Sequence, residues 1–265
     1  MSEPGVRTTE AAEPRRPGYV QSLDRGLAVI RAFDADHPRL TLTEVAGRAG
    51  LTRAAAWRFL HTLVDLGYVA VEGRVFSLRP RVLELGYAYL SSMSLAEIAR
   101  VHLERLASLV DESSSMSVLD GTDIVYVVRV PARRIMSVDL GVGARLPAFA
   151  TSMGRVLLAA LPDDALEEHV GDLEPLTRRT TTDLAALRQE LAVVRRQGWA
   201  LVDGELEEGL RSVAAPVTDR SGRVVAAVNI STAASRGSVA SVTEDLLPHL
   251  LRAAREISAD LAQRQ

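Results

Sequence analysis

Residues 40–71 read LTLTEVAGRAGLTRAAAWRFLHTLVDLGYVAV, and this stretch decides the fold of the N-terminal third. Thr41 with Glu44 three residues later has the form of a capping box, in which a hydroxyl and a carboxylate each satisfy one backbone N–H at a helix start. Leu42, Val45 and Ala49 give that helix a short apolar face, and Gly50 suits the left-handed conformation that ends it. Thr52 can cap a second helix running through Phe59, Leu60 and Leu63 to Leu66, where Gly67 stops it. Two short helices joined by a tight glycine turn predict a helix-turn-helix.

Upstream, Leu23, Leu27, Ile30 and Ala32–Phe33 recur at helical spacing, and the stretch Asp34 to Arg39, with Pro38, closes that helix. Downstream, Tyr68–Val71 and Val75–Leu78 predict a hairpin around Glu72-Gly73-Arg74, which makes the motif winged. On the second helix of the motif, Arg53, Trp57, Arg58 and His61 stand away from the Phe59–Leu60–Leu63 stripe. A DNA-reading helix needs arginine to reach phosphates and guanine edges, and small residues such as Ala54, Ala55 and Ala56 to approach the groove closely. Arg74 at the wing tip is placed for the backbone or minor groove. With the capping threonines Thr41 and Thr52, these are the candidate DNA-binding residues. The alternative is a protein-interaction module with a solvated arginine face.

The rest of the 265 residues bounds what else the chain can be. At roughly 150 residues per domain, two modest domains are expected. Residues 1–81 hold 12 arginines against 9 acidic residues, a net +3, whereas residues 82–265 hold 19 against 25, a net −6. A basic first third on an acidic body suits an anionic partner for the N-terminal part. There is no cysteine, so disulfides, thiolate metal sites and a cysteine nucleophile are excluded, in keeping with a reducing cytoplasm. There is no lysine either, which removes Walker-type phosphate loops and Schiff-base chemistry. Residues 1–18 are polar, contain three prolines and lack a secretory pattern, so a disordered tail is expected. No apolar run is long enough for a membrane helix.

Pro80-Arg81 opens a further helix, with Val82, Leu83, Leu85, Tyr87, Tyr89 and Leu90 apolar on more than one side. Such a helix is buried between partners, either as a linker that pairs subunits or packed within its own chain. Leu95–Val110 reads as a helix, Ser115–Leu119 and Asp123–Val130 as strands around Asp120-Gly121-Thr122, and Ile135–Leu140 as another strand. Ser152–Ala160 and Leu184–Arg196 read as helices, and Trp199–Val202, Leu210–Val217 and Val224–Ile230 as strands. A final helix from Val239 to Leu261 should be bent or loosened by Pro248. Strands flanked by helices at both ends predict an α+β domain with an antiparallel sheet.

Catalytic and metal signals are absent from the pattern. The five histidines are scattered, no Gly-x-Ser-x-Gly elbow occurs, and Glu205, Glu207 and Glu208 beside glycines read as a solvated loop. No catalytic residue, metal or cofactor is expected.

The segments YVQSLDRGLAVIRAF, LTLTEVAGRAGLTRAAAWRFLHTLVDLGYV and LRPRVLELGYAYLSS resemble the N-terminal part of the IclR family of bacterial transcription regulators. The resemblance continues through ESSSMSVLDGTDIVYVVRVPARRIMSV, FATSMGRVLLAALP and LVDGELEEGLRSVAAPV to VVAAVNIS, and it looks closest to the Pca and Pob regulators of the β-ketoadipate pathway. Trp57 departs from that subgroup, which usually carries a polar or basic residue there. It could stack on sugar, touch a thymine methyl or pack inward.

The resemblance implies an α+β chain with an N-terminal winged helix-turn-helix (residues 19–80), a linker and dimerisation helix (81–93) and a GAF-like or profilin-like effector domain (94–265). It implies a homodimer or tetramer that binds double-stranded DNA. The matching segments make Thr151, Ser152, Met153, Asp203, Ser212, Asn229 and Ser231 the candidate effector contacts. The N–H groups opening the helix at Ser152 suit a carboxylate, and Asn229 and Ser231 share one face of a strand. Asp203 would repel an anion unless protonated or hydrogen-bonded, and could instead accept a ligand hydroxyl. Arg129 could pair with an acidic ligand, while Arg133 and Arg134 suit a solvated turn. The implied effector is a small organic acid such as protocatechuate, 4-hydroxybenzoate or β-ketoadipate. The rival readings are an enzyme acting on a small organic acid behind an N-terminal interaction module, and a constitutive DNA-binding protein.

Overall fold

The computed structural model describes residues 19–85, 95–132 and 141–264. The expected tail, most of the linker helix and the strand expected at Ile135–Leu140 lie outside them, as do Arg133 and Arg134. The chain divides into two compact units, one up to Tyr89 and one from Leu90.

The N-terminal unit runs α1 (Gln21–Arg31), β1 (Arg39–Thr41), α2 (Leu42–Arg48), α3 (Arg53–Asp65), β2 (Val69–Glu72) and β3 (Val75–Leu78). Both capping predictions hold. The Thr41 N–H donates to Glu44 Oε2 at 2.7 Å while the Glu44 N–H donates to Thr41 Oγ1, and the Ala55 N–H donates to Thr52 Oγ1 at 3.2 Å. Gly50 at φ +63° makes the turn between α2 and α3, a conformation that costs a side chain with a Cβ. One strand escaped the sequence pattern. Arg39–Thr41 adds an edge to the hairpin in the order β1-β3-β2, with Leu40 opposite Phe76. Val29, Leu40, Val45, Leu60, Leu63, Val69 and Phe76 form the core beneath.

The C-terminal unit contains α4 (Leu95–Val110), β4 (Ser113–Asp120), β5 (Asp123–Val130), β6 (Arg145–Pro147), α5 (Ser152–Ala159), α6 (Leu166–Val170), α7 (Leu184–Gln197), β7 (Ala200–Asp203), β8 (Leu210–Thr218), β9 (Val224–Ala233) and α8 (Leu247–Arg264). The short β6 and α6 were not foreseen. Ahead of α8, Val242–Leu246 forms a π-turn. Pro248 lies just beyond it and cannot donate the hydrogen bond that a continuous α-helix requires, which is the loosening expected there.

The six strands form one antiparallel sheet in the order β6-β5-β4-β9-β8-β7. Alternation along the strands separates two cores. Val213, Ala215 and Val217 on β8, with Val228 and Ile230 on β9, pack against α4 and α8. Ala214 and Ala227 face the other way, towards α5 and α7. Helix α5 lies close against the turn Ala148–Ala150. A Cβ on Gly154 would sit 2.0 Å from the Ala148 carbonyl oxygen, so only glycine fits.

Candidate functional site

The α5 side of the sheet holds a small cavity with about 30 Å³ of free volume, room for a water or two. It is lined by Tyr126, Ala150, Thr151, Ser152, Met153, Val202, Leu206, Leu210, Ser212, Asn229 and Ser231. Strand period explains the polar wall, because Ser212 alternates with Val213, and Asn229 and Ser231 flank Ile230. The hydroxyls of Ser152 and Ser212 lie 2.7 Å apart. Asn229 Nδ2 donates to Ser212 Oγ at 3.0 Å and Ser231 Oγ at 2.9 Å. Asn229 Oδ1 is buried without a partner among the described residues. Reversing the amide would leave the nitrogen in the same position, so this side chain keeps one unused polar atom in either orientation.

Thr151 caps α5 by accepting from the Gly154 N–H at 3.1 Å. The N–H groups of Ser152 and Met153 find no backbone partner among the described residues. Two uncapped donors at a helix start carry partial positive charge. The Met153 thioether accepts from the Ser117 hydroxyl at 3.3 Å. No charged side chain lines the cavity.

Of the seven candidate effector contacts, six line this cavity and Asp203 does not. Asp203 follows Val202 on β7 and so projects to the opposite face, directly across from Arg211. It accepts from Arg211 Nε at 2.9 Å and Arg179 at 2.6 Å, and the Arg211 hydrogen bond is the main cause of a carboxyl held below its ordinary value. Sequence reading passed over Tyr126, Val202, Leu206 and Leu210. Burial raises the Tyr126 phenol, outweighing the opposite effect of Arg129, so it remains a neutral O–H donor. Only the pairing of β5 with β4, and of β4 with β9, brings Tyr126 to the same face as Asn229.

Glu205 corrects a further expectation. It is 9% exposed rather than solvated. Arg155, 3% exposed, donates to Glu205 at 2.6 Å, to Glu190 at 2.5 Å and through Nε to the Phe149 carbonyl at 3.0 Å. The Thr181 N–H completes the Glu205 carboxylate at 3.0 Å. The arrangement neutralises the buried guanidinium and ties the Glu205 segment to α5.

In the N-terminal unit, Arg53, Ala54, Trp57 and Arg58 are exposed on α3, Ala55 is half-buried, and Arg74 is exposed at the wing tip. Ala56 is fully buried, because it falls on the core stripe with Leu60 and Leu63, and cannot approach DNA. Thr41 and Thr52 use their hydroxyls as caps. His61 is half-buried, with Nδ1 2.9 Å from the Trp57 carbonyl and its ring edge-on to Phe76.

A winged helix with arginines on its exposed helix, followed in the same chain by a domain with a buried cavity of mixed polar and apolar wall, defines the class of effector-responsive DNA-binding regulators. The IclR helix-turn-helix domain matches residues 22–73, and the bacterial transcriptional regulator IclR C-terminal domain matches residues 87–259. The chain belongs to the IclR family of bacterial transcription regulators. It is 47% identical over 248 residues to the Pca regulon regulatory protein of Pseudomonas putida, covering 92% of this chain and 85% of that protein. A crystal structure from Rhodococcus sp. RHA1 is 57% identical with a TM-score of 0.84, covering 93% of this chain and 100% of that one. An IclR homolog from Microbacterium hydrocarbonoxydans, solved in complex with 4-hydroxybenzoate, is 28% identical with a TM-score of 0.81, covering 91% and 98%. Among the described residues, no helix is long and apolar enough to cross a membrane, and no group of side chains is placed to hold a metal ion.

Proposed function

We propose that this regulator senses a hydroxylated aromatic acid, of the kind represented by 4-hydroxybenzoate or protocatechuate, in the cavity beside α5. The observation that carries the reading is the cavity's mixed wall. Tyr126, Met153, Val202, Leu206 and Leu210 offer an apolar slot. Ser152, Ser212, Ser231 and the unused amide atom of Asn229 offer neutral hydrogen-bond partners. A carboxylate suits the free N–H groups of Ser152 and Met153, where it gains from the helix terminus. β-Ketoadipate has no ring for the apolar slot and two carboxylates for one helix start, so the aromatic acids are favoured. Thr151 completes the set as the cap that shapes this terminus.

The operator-reading surface consists of Arg53, Ala54, Ala55, Trp57, Arg58 and Arg74, with Thr41, Thr52 and His61 holding the motif. The domain limits are those read from sequence: 19–80, 81–93 and 94–265. The protein acts as a homodimer or tetramer, supported by Leu23 and Leu27 on α1 and by Leu83 and Leu85, all left exposed. Effector binding then shifts a population of operator-binding geometries.

Differential scanning fluorimetry of the full chain against aromatic acids and ring-cleavage intermediates tests the sensor reading. A ligand at about a hundredfold its Kd should stabilise by roughly 2.7 kcal/mol. No shift with any acid at millimolar concentration would refute it. For DNA binding, Arg53→Ala and Arg58→Ala should each weaken operator affinity and lower the salt slope by about 1 if the arginine meets a phosphate. Wild-type affinity in both would move the contacts elsewhere.

A further inference from the structure

Trp57 is an unusual group for an exposed DNA-facing helix. Its side chain is 49% exposed, on the same stretch as Arg53 and Arg58. Yet it is not loose. Its ring stacks on His61 at 4.1 Å between centroids and 29° between planes, and His61 in turn abuts Phe76 edge-on at 6.1 Å. The imidazole is pinned by its Nδ1 contact with the Trp57 carbonyl at 2.9 Å. One face of the indole is therefore used within the protein, and the rest of the ring is presented in a fixed position on a charged surface. An apolar plate held this way gains nothing from water. In the major groove the apolar feature of the base edges is the C5-methyl of thymine.

We propose that Trp57 is a specificity-determining residue that reads a thymine methyl in the operator, with His61 and Phe76 as its support. The inference rests on the DNA-binding reading above. It predicts a preference that arginine contacts cannot supply, since guanidinium groups seek N7, O6 and phosphate oxygens. Burying one methyl gives about a fourfold affinity difference, equivalent to about 0.8 kcal/mol, for each half-site.

The test starts from duplexes selected out of a randomised pool by the full-length protein. The selected duplex is resynthesised with uracil replacing thymine at one position at a time, which removes only the methyl. Wild-type protein should lose about fourfold at a particular thymine in each half-site. Trp57→Ala should bind the thymine and uracil duplexes equally, and Trp57→Phe should retain part of the preference. The proposal falls if wild type binds all uracil duplexes as well as the parent. It also falls if Trp57→Ala discriminates as wild type does, or if that variant weakens while wild type shows no methyl effect, which would mean stacking on sugar. Failure to enrich any duplex would instead overturn the DNA-binding reading itself.

Discussion

Helix α5 carries two buried polar arrangements one turn apart, and they are built on opposite principles. At Ser152 the partners are neutral, from Ser212, Asn229 and Ser231, and one amide atom is left without a bond. At Arg155 the partners are charged, and the guanidinium is satisfied by Glu205, Glu190 and the Phe149 carbonyl. A completed network has nothing left to offer a ligand and serves to hold the segments that meet there. An incomplete one, beside a cavity, retains hydrogen-bonding capacity at a small cost in stability. The contrast separates a closed, load-carrying arrangement in this domain from the open one proposed above as its sensor.

Breaking the charged arrangement should have the largest effect. Arg155→Met leaves the Glu205 carboxylate buried and unpaired, and a broken buried pair costs about 3–5 kcal/mol. A urea midpoint within error of wild type would show that the network is not structural. Gly154→Ala, between the two arrangements, should also be severe. Its methyl would overlap the Ala148 carbonyl, at a cost of about 1–3 kcal/mol or more for overpacking. The same denaturation curve measures it.

The neutral arrangement should respond in the reverse manner. Asn229→Leu removes the unused polar atom, so stability should change by less than about 1.5 kcal/mol while the shift in melting temperature with aromatic acid disappears. A retained shift would place the ligand elsewhere. The smallest effect belongs to Asp203, which sits apart from both arrangements. Its carboxyl is held below the ordinary value of 3.8, first by the Arg211 hydrogen bond, then by the charges of Arg211 and Arg179. The folded state therefore binds this proton less readily than the unfolded chain. The resulting stabilisation is fully present above 3.8 and is lost as pH falls through the folded-state value. The difference in unfolding free energy between wild type and Asp203→Asn should accordingly vanish in acid. A pH-independent difference would rule out this linkage.

Legibility in sequence followed the range of the interactions. The capping box of Thr41 and Glu44, the Thr52 cap and the turn at Gly50 join residues five or fewer positions apart, and each could be read directly. β1 could not. Three residues make a strand only when β3 lies alongside, and the pattern Arg39-Leu40-Thr41 carries no period of its own. Ala56 was placed among exposed alanines because it is small, yet one helical turn before Leu60 it faces the core. The family resemblance brought six cavity residues to attention, but it also suggested Asp203, which strand alternation turns to the far side.

By itself the sequence determined the helix starts and stops, the alternating strands, the absence of thiol and lysine chemistry, and the arginines on the second helix of the helix-turn-helix. All of these depend on residue type or on neighbours within about one turn. Only the tertiary structure decided that Ser152, Ser212, Asn229 and Tyr126 share one cavity, that Arg155 meets Glu205 from fifty positions away, and that Trp57 stacks on His61, whose ring in turn meets Phe76. Those are meetings of distant segments or of ring planes. They depend on the order β6-β5-β4-β9-β8-β7 and on which face of each strand is turned inward, and no local pattern carries that information.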